Sequence, residues 1–304
     1  MRILFVTSTR IGDAVLSTGV LEHLRQAHPQ ARFTIACGAV AEGVFARMPG
    51  LERLIALEKR SFARHWLGLW RQVAGTRWDL VVDLRGSALA FAVRAKRRAV
   101  MRGGRRSGHR LHHIAEALGI APPPRPVAWF NAADAARAAV LLPAGPWLVL
   151  GPTANWRTKM WAPENFIALA RRLTAPDGPL PGARLAILGG PGTLEREMAA
   201  PVLAALPDAL DLVGGLSLPE AAAVLARSAL FIGNDSGLMH LAAATGAPTL
   251  GLFGPTPASE YAPVGARAQA VLADGPPGGA PMEALAVERV TRAAEAILGQ
   301  EVPA

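Results

Sequence analysis

The chain has 304 residues, 51% of them hydrophobic and 18% charged, enough for two domains that each bury a core. Its formal net charge of +9 sits in the first half: residues 1–143 hold 22 Lys and Arg against 9 Asp and Glu, and residues 144–304 hold 10 against 14. A single cysteine, Cys37, excludes an intramolecular disulfide and a cysteine-based zinc site, and its strand-like surroundings, RFTIACG, mark it as a small buried side chain.

The chain opens on the apolar run RILFVT, which reads as a buried strand, followed by the loop STRIGD and a helix over 14–27. Arg10 and Asp13 interrupt what would be the apolar core of an export signal, so the cytoplasm is the expected compartment. Strand-like runs follow at RFTIAC, RLIAL and DLVVDL, with helices over 39–48, 62–76 and 109–118. Residues 94–110, RAKRRAVMRGGRRSGHR, carry eight Lys and Arg and no acid. That patch suits an anionic partner: nucleic acid, an acidic membrane surface or an acidic glycan. The segment 119–146 combines a proline cluster with a short Ala-rich helix and is expected to lead from one domain to the next, with the boundary at 143/144. The greasiest stretch of the chain, AAVLLPAGPWLVLGP, is broken by Pro143 and Pro146 and is too short to span a membrane.

The second half restarts the alternation. Strands at WLVLGP, RLAILGG, LDLVG, LFIGN and PTLGLFG are separated by helices over 163–174, 193–205, 218–227 and 237–245. The stretch MEALAVERVTRAAEAIL is a final amphipathic helix, expected as a separate segment over 284–304. The pattern predicts an α/β protein of two Rossmann-like halves, each a parallel sheet covered on both faces. Ligands then bind beyond the carboxyl ends of the strands, in a cleft where the halves face each other.

Four loops after strands carry residues able to do chemistry. In STRIGD, Gly12 permits a tight turn or close ligand approach, and Asp13 is either a helix-capping acid or a reagent. In GPTANWRTKMWAPENF, Asn155, Thr158 and Lys159 offer neutral donors and one positive charge to a diphosphate, while Trp156 and Trp161 read as packing rather than base stacking. In ILGGPGTLERE the glycines fall short of a full dinucleotide fingerprint. Glu195 there either accepts from ribose hydroxyls or satisfies a helix N-terminus. In FIGNDSGLMHLAAATGAP, Asp235 and Ser236 suit an N-cap, Gly237 lets backbone N–H groups approach an anion, and His240 follows one turn later. No Asp-x-Asp or His-Glu-x-x-His spacing suits a metal, no Gly-x-Ser-x-Gly elbow supports a nucleophilic triad, and no Gly-Lys-Ser/Thr supports a Walker loop.

Three of these stretches in order, RILFVTSTRIGDAVLSTGVLEHLRQAHPQARFTI, GPTANWRTKMWAPENFIALARRL and FIGNDSGLMHLAAATGAPTLGLFGPTP, resemble glycosyltransferase family 9, the ADP-heptose:lipopolysaccharide heptosyltransferases. The resemblance implies a GT-B fold with acceptor on the first domain, nucleotide sugar on the second, and a final helix able to pack back across the first. It implies that Asp13 is the general base of an inverting transfer and that Lys159 meets the donor phosphates. Asp235, Ser236, Gly237 and His240 match the donor-binding loop, with Asn155, Thr158 and Glu195 assigned beside them. The expected donor is a nucleotide sugar such as ADP-heptose, with no metal or other cofactor.

Arg10 and Gly12, with Arg97, Arg98, Arg105 and Arg106 of the basic run, are assigned to an acidic glycolipid acceptor. Peripheral contact with the inner membrane suits the same charge, and no nucleic acid is expected. The chain departs from the family pattern at Thr7, where a basic residue is common, at Gly19 for Pro, at Asn155 for Ser or Thr, and at DGPPGGAP for a cysteine-containing segment. Two other readings stand beside the transferase: a GT-B nucleotide-sugar isomerase and a non-catalytic binder of anionic polymers.

Overall fold

A computed structural model describes residues 1–58, 64–101 and 106–300. The chain divides into two units, with the boundary between Phe130 and Asn131. In the first unit β1 (Arg2–Val6), β2 (Arg32–Cys37), β3 (Leu51–Ala56), β4 (Trp78–Asp83) and β5 (Ala95–Val100) form a parallel sheet in the order β3-β2-β1-β4-β5. Its helices are α1 (Ile11–Ala27), α2 (Glu42–Phe45), α3 (Arg64–Val73), α4 (Leu89–Ala92) and α5 (Arg110–Glu116). Ile3 to Val6 are wholly buried, as a central strand covered on both faces requires.

α1 is buried without a break from Ala14 to Leu21, which one packed face cannot achieve. The segment after α5 crosses the helix and encloses it: the Val127 N–H donates to Thr18 Oγ1 at 2.8 Å. A Cβ at Gly19 would lie 2.4 Å from the Pro124 carbonyl oxygen and 2.6 Å from that of Arg125, so only glycine lets this segment approach. Here the departure at position 19 has a steric reason.

The basic run is not one continuous patch. Its first part is β5, an edge strand paired, among the described residues, only with β4, on which Lys96, Arg97 and Arg98 alternate between faces. Charged side chains on an edge strand discourage pairing with another chain, a structural use of the charge that composition could not separate from ligand binding.

In the second unit β6 (Trp147–Gly151), β7 (Arg184–Gly189), β8 (Leu210–Val213), β9 (Leu230–Asn234), β10 (Thr249–Phe253) and β11 (Ala268–Leu272) form a parallel sheet in the order β11-β10-β9-β6-β7-β8. Its helices are α6 (Ala132–Leu141), α7 (Pro163–Thr174), α8 (Thr193–Ala205), α9 (Leu218–Leu225), α10 (Gly237–Ala244), α11 (Ala258–Tyr261) and α12 (Val287–Leu298). α7 and α8 begin and end where the sequence places them. Strand β11 was not anticipated.

Two expectations about domain limits need correction. The boundary falls before α6 rather than at 143/144, because the Ala-rich helix packs on α9 and Arg137 pairs with Glu220 at 3.0 Å. An Asn131–Asp134 capping box starts that helix right at the boundary. α12 does not stand as a separate segment: Val290, Ala294 and Ile297, spaced to share one helix face, join the core of the second unit against α7 and β11. Among the described residues no helix is long and apolar enough to cross a membrane.

Gly19→Ala should cost about 1–3 kcal/mol, since backbone atoms of a crossing segment must move; denaturant unfolding of the full chain measures it. Cys37 is buried, and burial first, then Glu42, pushes its thiol up to about 12. Cys37 should therefore resist a thiol-specific disulfide reagent at mildly alkaline pH until the chain is unfolded; fast reaction of the native protein would contradict its placement.

Candidate functional site

Both sheets place a strand boundary where the chain parts in opposite directions, and the candidate residues collect there. In the first unit this point lies between β1 and β4, in the second between β6 and β9. Adjacent parallel strands whose following connections run to opposite faces leave a crevice at their carboxyl ends, the usual ligand position in such sheets.

At the first point a cavity of about 290 Å³ is lined by Ser8, Arg10 and Asp13 after β1, Arg85 after β4, and Met101 and Arg110 after β5. Asp13 is the third residue of α1, but it does not cap the helix reciprocally. The N-cap position is Arg10, without a side-chain cap, and the Arg10 N–H donates instead to Ser8 Oγ at 3.2 Å. The Asp13 carboxylate accepts a long hydrogen bond from Ser8 Oγ at 3.4 Å and stands 3.7 Å from Arg110 Nε. One carboxylate thus borders a cavity among three guanidinium side chains, where an acidic molecule with a hydroxyl would fit both charges. Gly12 is half-buried beside it.

Asp83, wholly buried at the end of β4, shapes the opposite wall. Its Oδ1 accepts the Arg85 N–H at 2.8 Å, and its Oδ2 accepts the Ser87 N–H at 2.9 Å and the Ser87 hydroxyl at 2.5 Å. Three hydrogen bonds to one carboxylate fix the turn that carries Arg85. Sequence reading missed Ser8, Asp83, Arg85 and Arg110. Arg110 lies inside the basic run, where nothing local distinguishes it from its neighbours.

Other members of that run have different partners. Arg98 donates to the carbonyls of Ala90, Ala95 and Val93 at 2.7, 3.2 and 2.9 Å, which ties it to the end of α4. Arg106 donates to Glu116 at 2.8 Å, and Lys96 pairs with Asp79 at 2.7 Å, holding that carboxyl below the usual range. Arg97 is exposed on β5. Arg105 lies outside the described residues. Arg97 and Arg98 lie on the edge strand and Arg106 in the loop before α5, and it is Arg110, the first residue of α5, that reaches Asp13.

At the second point Lys159, on a 3₁₀ turn Arg157–Lys159 after β6, meets Asp235 after β9: Nζ is 2.5 Å from Oδ2. Thr256 Oγ1 donates to the same oxygen at 2.8 Å. Lys159 also stands 5.1 Å from the centroid of the Trp156 ring, a cation–π contact. Trp156 is exposed and flanks the ammonium, so its expected packing role is corrected, whereas Trp161 is wholly buried and donates from Nε1 to the Leu285 carbonyl at 2.8 Å.

Asn234, wholly buried, stitches the two loops together. Its Oδ1 accepts the Trp161 N–H at 3.0 Å and its Nδ2 donates to the Pro152 carbonyl at 2.8 Å. Ser236 occupies the N-cap of α10 without a side-chain cap, so its hydroxyl does not cover the first amides of that helix. Gly237 brings no side chain over them. The positive end of α10 is thus arranged beside an ammonium, a combination suited to a phosphate. Asp235 gives no cap either, since its carboxylate is engaged by Lys159 and Thr256. His240 is buried in the second turn.

Asn155 and Thr158 are exposed on the Lys159 loop. Glu195 turns back within its own loop, where Oε2 accepts the Gly190 N–H at 3.1 Å. Thr256 and Asn234 were missed: both look like turn residues in the sequence, and their partners lie 21 and at least 73 positions away.

Asn234→Ala would leave the Trp161 N–H and the Pro152 carbonyl buried without partners, at about 1–3 kcal/mol each. Denaturant unfolding of the full chain should register that loss, and an unchanged midpoint would contradict the stitching role.

The sequence model of glycosyltransferase family 9 (heptosyltransferase) matches residues 109–279, a span containing Arg110, Lys159, Asp235 and Thr256. Lipopolysaccharide heptosyltransferase 1 of Pseudomonas aeruginosa is 29% identical over 294 residues, covering 84% of this chain and 79% of that protein. Two solved structures have the same architecture. A family 9 glycosyltransferase of Veillonella parvula superposes with a TM-score of 0.79 at 21% identity, covering 98% of this chain and 97% of its own. The ADP-heptose lipopolysaccharide heptosyltransferase II of E. coli does so with a TM-score of 0.77 at 21% identity, covering 98% of each chain. Two parallel sheets with polar crevices at their switch points, together with a family match over more than half of the chain, make this protein a member of glycosyltransferase family 9, a sugar transferase of GT-B fold.

Proposed function

We propose that the protein transfers heptose from ADP-heptose to an acidic inner-core lipopolysaccharide acceptor, with inversion at the anomeric carbon. The observation that carries the donor half is the Lys159–Asp235 pair at the uncapped start of α10. An ammonium has three donors. One is engaged by Asp235, which holds Nζ in place, and the others can meet the diphosphate together with the backbone N–H groups near Ser236 and Gly237. As the bond from the anomeric carbon to the diphosphate oxygen breaks, its electron pair leaves with ADP, and these groups stabilise the growing negative charge. That role needs no metal or other cofactor. The choice of adenine and heptose is supported by the relatives' names.

The acceptor half rests on the cavity that Asp13 borders with Arg10, Arg85 and Arg110. The guanidinium groups receive the acidic substituents of the acceptor. Asp13 takes the proton of the attacking hydroxyl as the new bond to the anomeric carbon forms, an effect worth ~10²–10⁴-fold. The enzyme on this reading works in the cytoplasm beside the inner membrane. The exposed Leu67, Trp70 and Phe91 of α3 and α4 offer an apolar contact for the bilayer surface.

Asp13→Asn should lower kcat by ~10²–10⁴-fold while leaving ADP affinity, measured by titration calorimetry, unchanged. Retained turnover would remove Asp13 as the base. Lys159→Ala should weaken ADP binding by at least about tenfold, the scale of one charge-assisted contact; undiminished affinity would remove the donor assignment.

A further inference from the structure

The mechanism above gives no part to Trp156, although its indole stands beside the charge that meets the diphosphate. The stretch WRTK sets Trp156 three residues before Lys159. Arg157–Lys159 form a 3₁₀ turn, closed by the Lys159 N–H, which donates to the Trp156 carbonyl at 3.0 Å. Side chains three apart in such a turn come round to the same side. The indole and the ammonium do so, with Nζ 5.1 Å from the ring centroid.

Lys159 therefore has two neighbours of different kinds. The side chains of Lys159 and Asp235 are 14% and 8% exposed, whereas Trp156 is 53% exposed, so the indole is the member of this group that faces solvent. A single exposed aromatic needs no explanation by itself, but this one has a cation against its ring. Asp235 carries a full negative charge, which holds the ammonium and also competes with an arriving anion for it. The ring attracts the ammonium through its quadrupole and brings no net charge, so it holds Nζ without repelling a phosphate. It also keeps water from one side of the ammonium, and a lower local dielectric strengthens the attraction to phosphate oxygens.

We propose that Trp156 is a positioning residue for the donor: its indole holds Lys159 Nζ toward the diphosphate of the nucleotide sugar and screens that contact from water. It acts through Lys159 rather than by stacking on the base or the sugar. The inference rests on the donor reading above and adds what keeps the ammonium in place once a competing anion arrives.

The test titrates ADP calorimetrically into the wild-type chain, Trp156→Leu, Trp156→Phe, Lys159→Ala and the double variant Trp156→Leu/Lys159→Ala. Leucine replaces the ring by an apolar group without a quadrupole, and phenylalanine keeps an aromatic face. Trp156→Leu should weaken ADP binding by about 3–10-fold, the scale of a partly desolvated cation–π contact. Trp156→Phe should stay within about twofold of wild type. Once Lys159 is alanine, the leucine substitution should cost nothing more, because the group it acts through is gone. Wild-type affinity in Trp156→Leu, or no recovery in Trp156→Phe, would overturn the positioning role. A further loss of the same size in the double variant would also overturn it, in favour of direct stacking on the donor. Lys159→Ala binding ADP as tightly as wild type, or a wild type that binds none, would instead defeat the donor reading and the role of Trp156 with it.

Discussion

The parting of the chain at two pairs of neighbouring parallel strands is the constraint on which the rest depends. β1 lies beside β4, and β6 beside β9, with the connections that follow each pair running to opposite faces of the sheet. A parallel sheet cannot close that gap with its own backbone, because every connection must cross over before the next strand begins. The loops at the parting are therefore free to carry polar groups, and in each unit they do. The first unit places a carboxylate among guanidinium groups there, and the second places an ammonium against a helix start.

The polar groups at these partings are held by neighbours that do no chemistry themselves. Asp83 fixes the turn bearing Arg85, and Asn234 ties the loop after β6 to the end of β9. Both side chains are wholly buried, where an unmatched polar group would be costly, and both are matched by backbone partners. The Lys159–Asp235 pair is less enclosed, and Thr256 shares the same carboxylate oxygen. A pair of this kind is weak evidence for stability. Its value is positional, since it holds one ammonium at a fixed place beside the α10 amides.

Charge works differently in the two units. The surplus of Lys and Arg in the first half invited a single binding patch, yet the fold disperses it: Arg98 onto carbonyls at the end of α4, Arg106 onto Glu116, Lys96 onto Asp79. What remains at the cavity is a small set, Arg10, Arg85 and Arg110, drawn from three separate stretches of the chain. In a polypeptide of this kind, net charge sets the field around a domain, while recognition is decided by the few charges whose neighbours leave them at a crevice.

The sequence by itself determined the alternation of strands and helices, because burial on both faces of a parallel sheet demands continuous apolar runs and Pro163, Gly237 and Gly246 punctuate the helices between them. It also made Asp13, Lys159 and the Asp235–Gly237 stretch legible, since each follows such a run directly. Tertiary structure alone decided the rest. β5 was hidden because an exposed edge strand needs no apolar alternation, and α6 and α12 take their places from partners, α9 and α7, distant in sequence. Arg110, Thr256 and Asn234 gain their roles only when separate loops converge on one crevice. Local pattern records what a residue must bury; which polar group it will face is fixed by how the strands are ordered across the sheet.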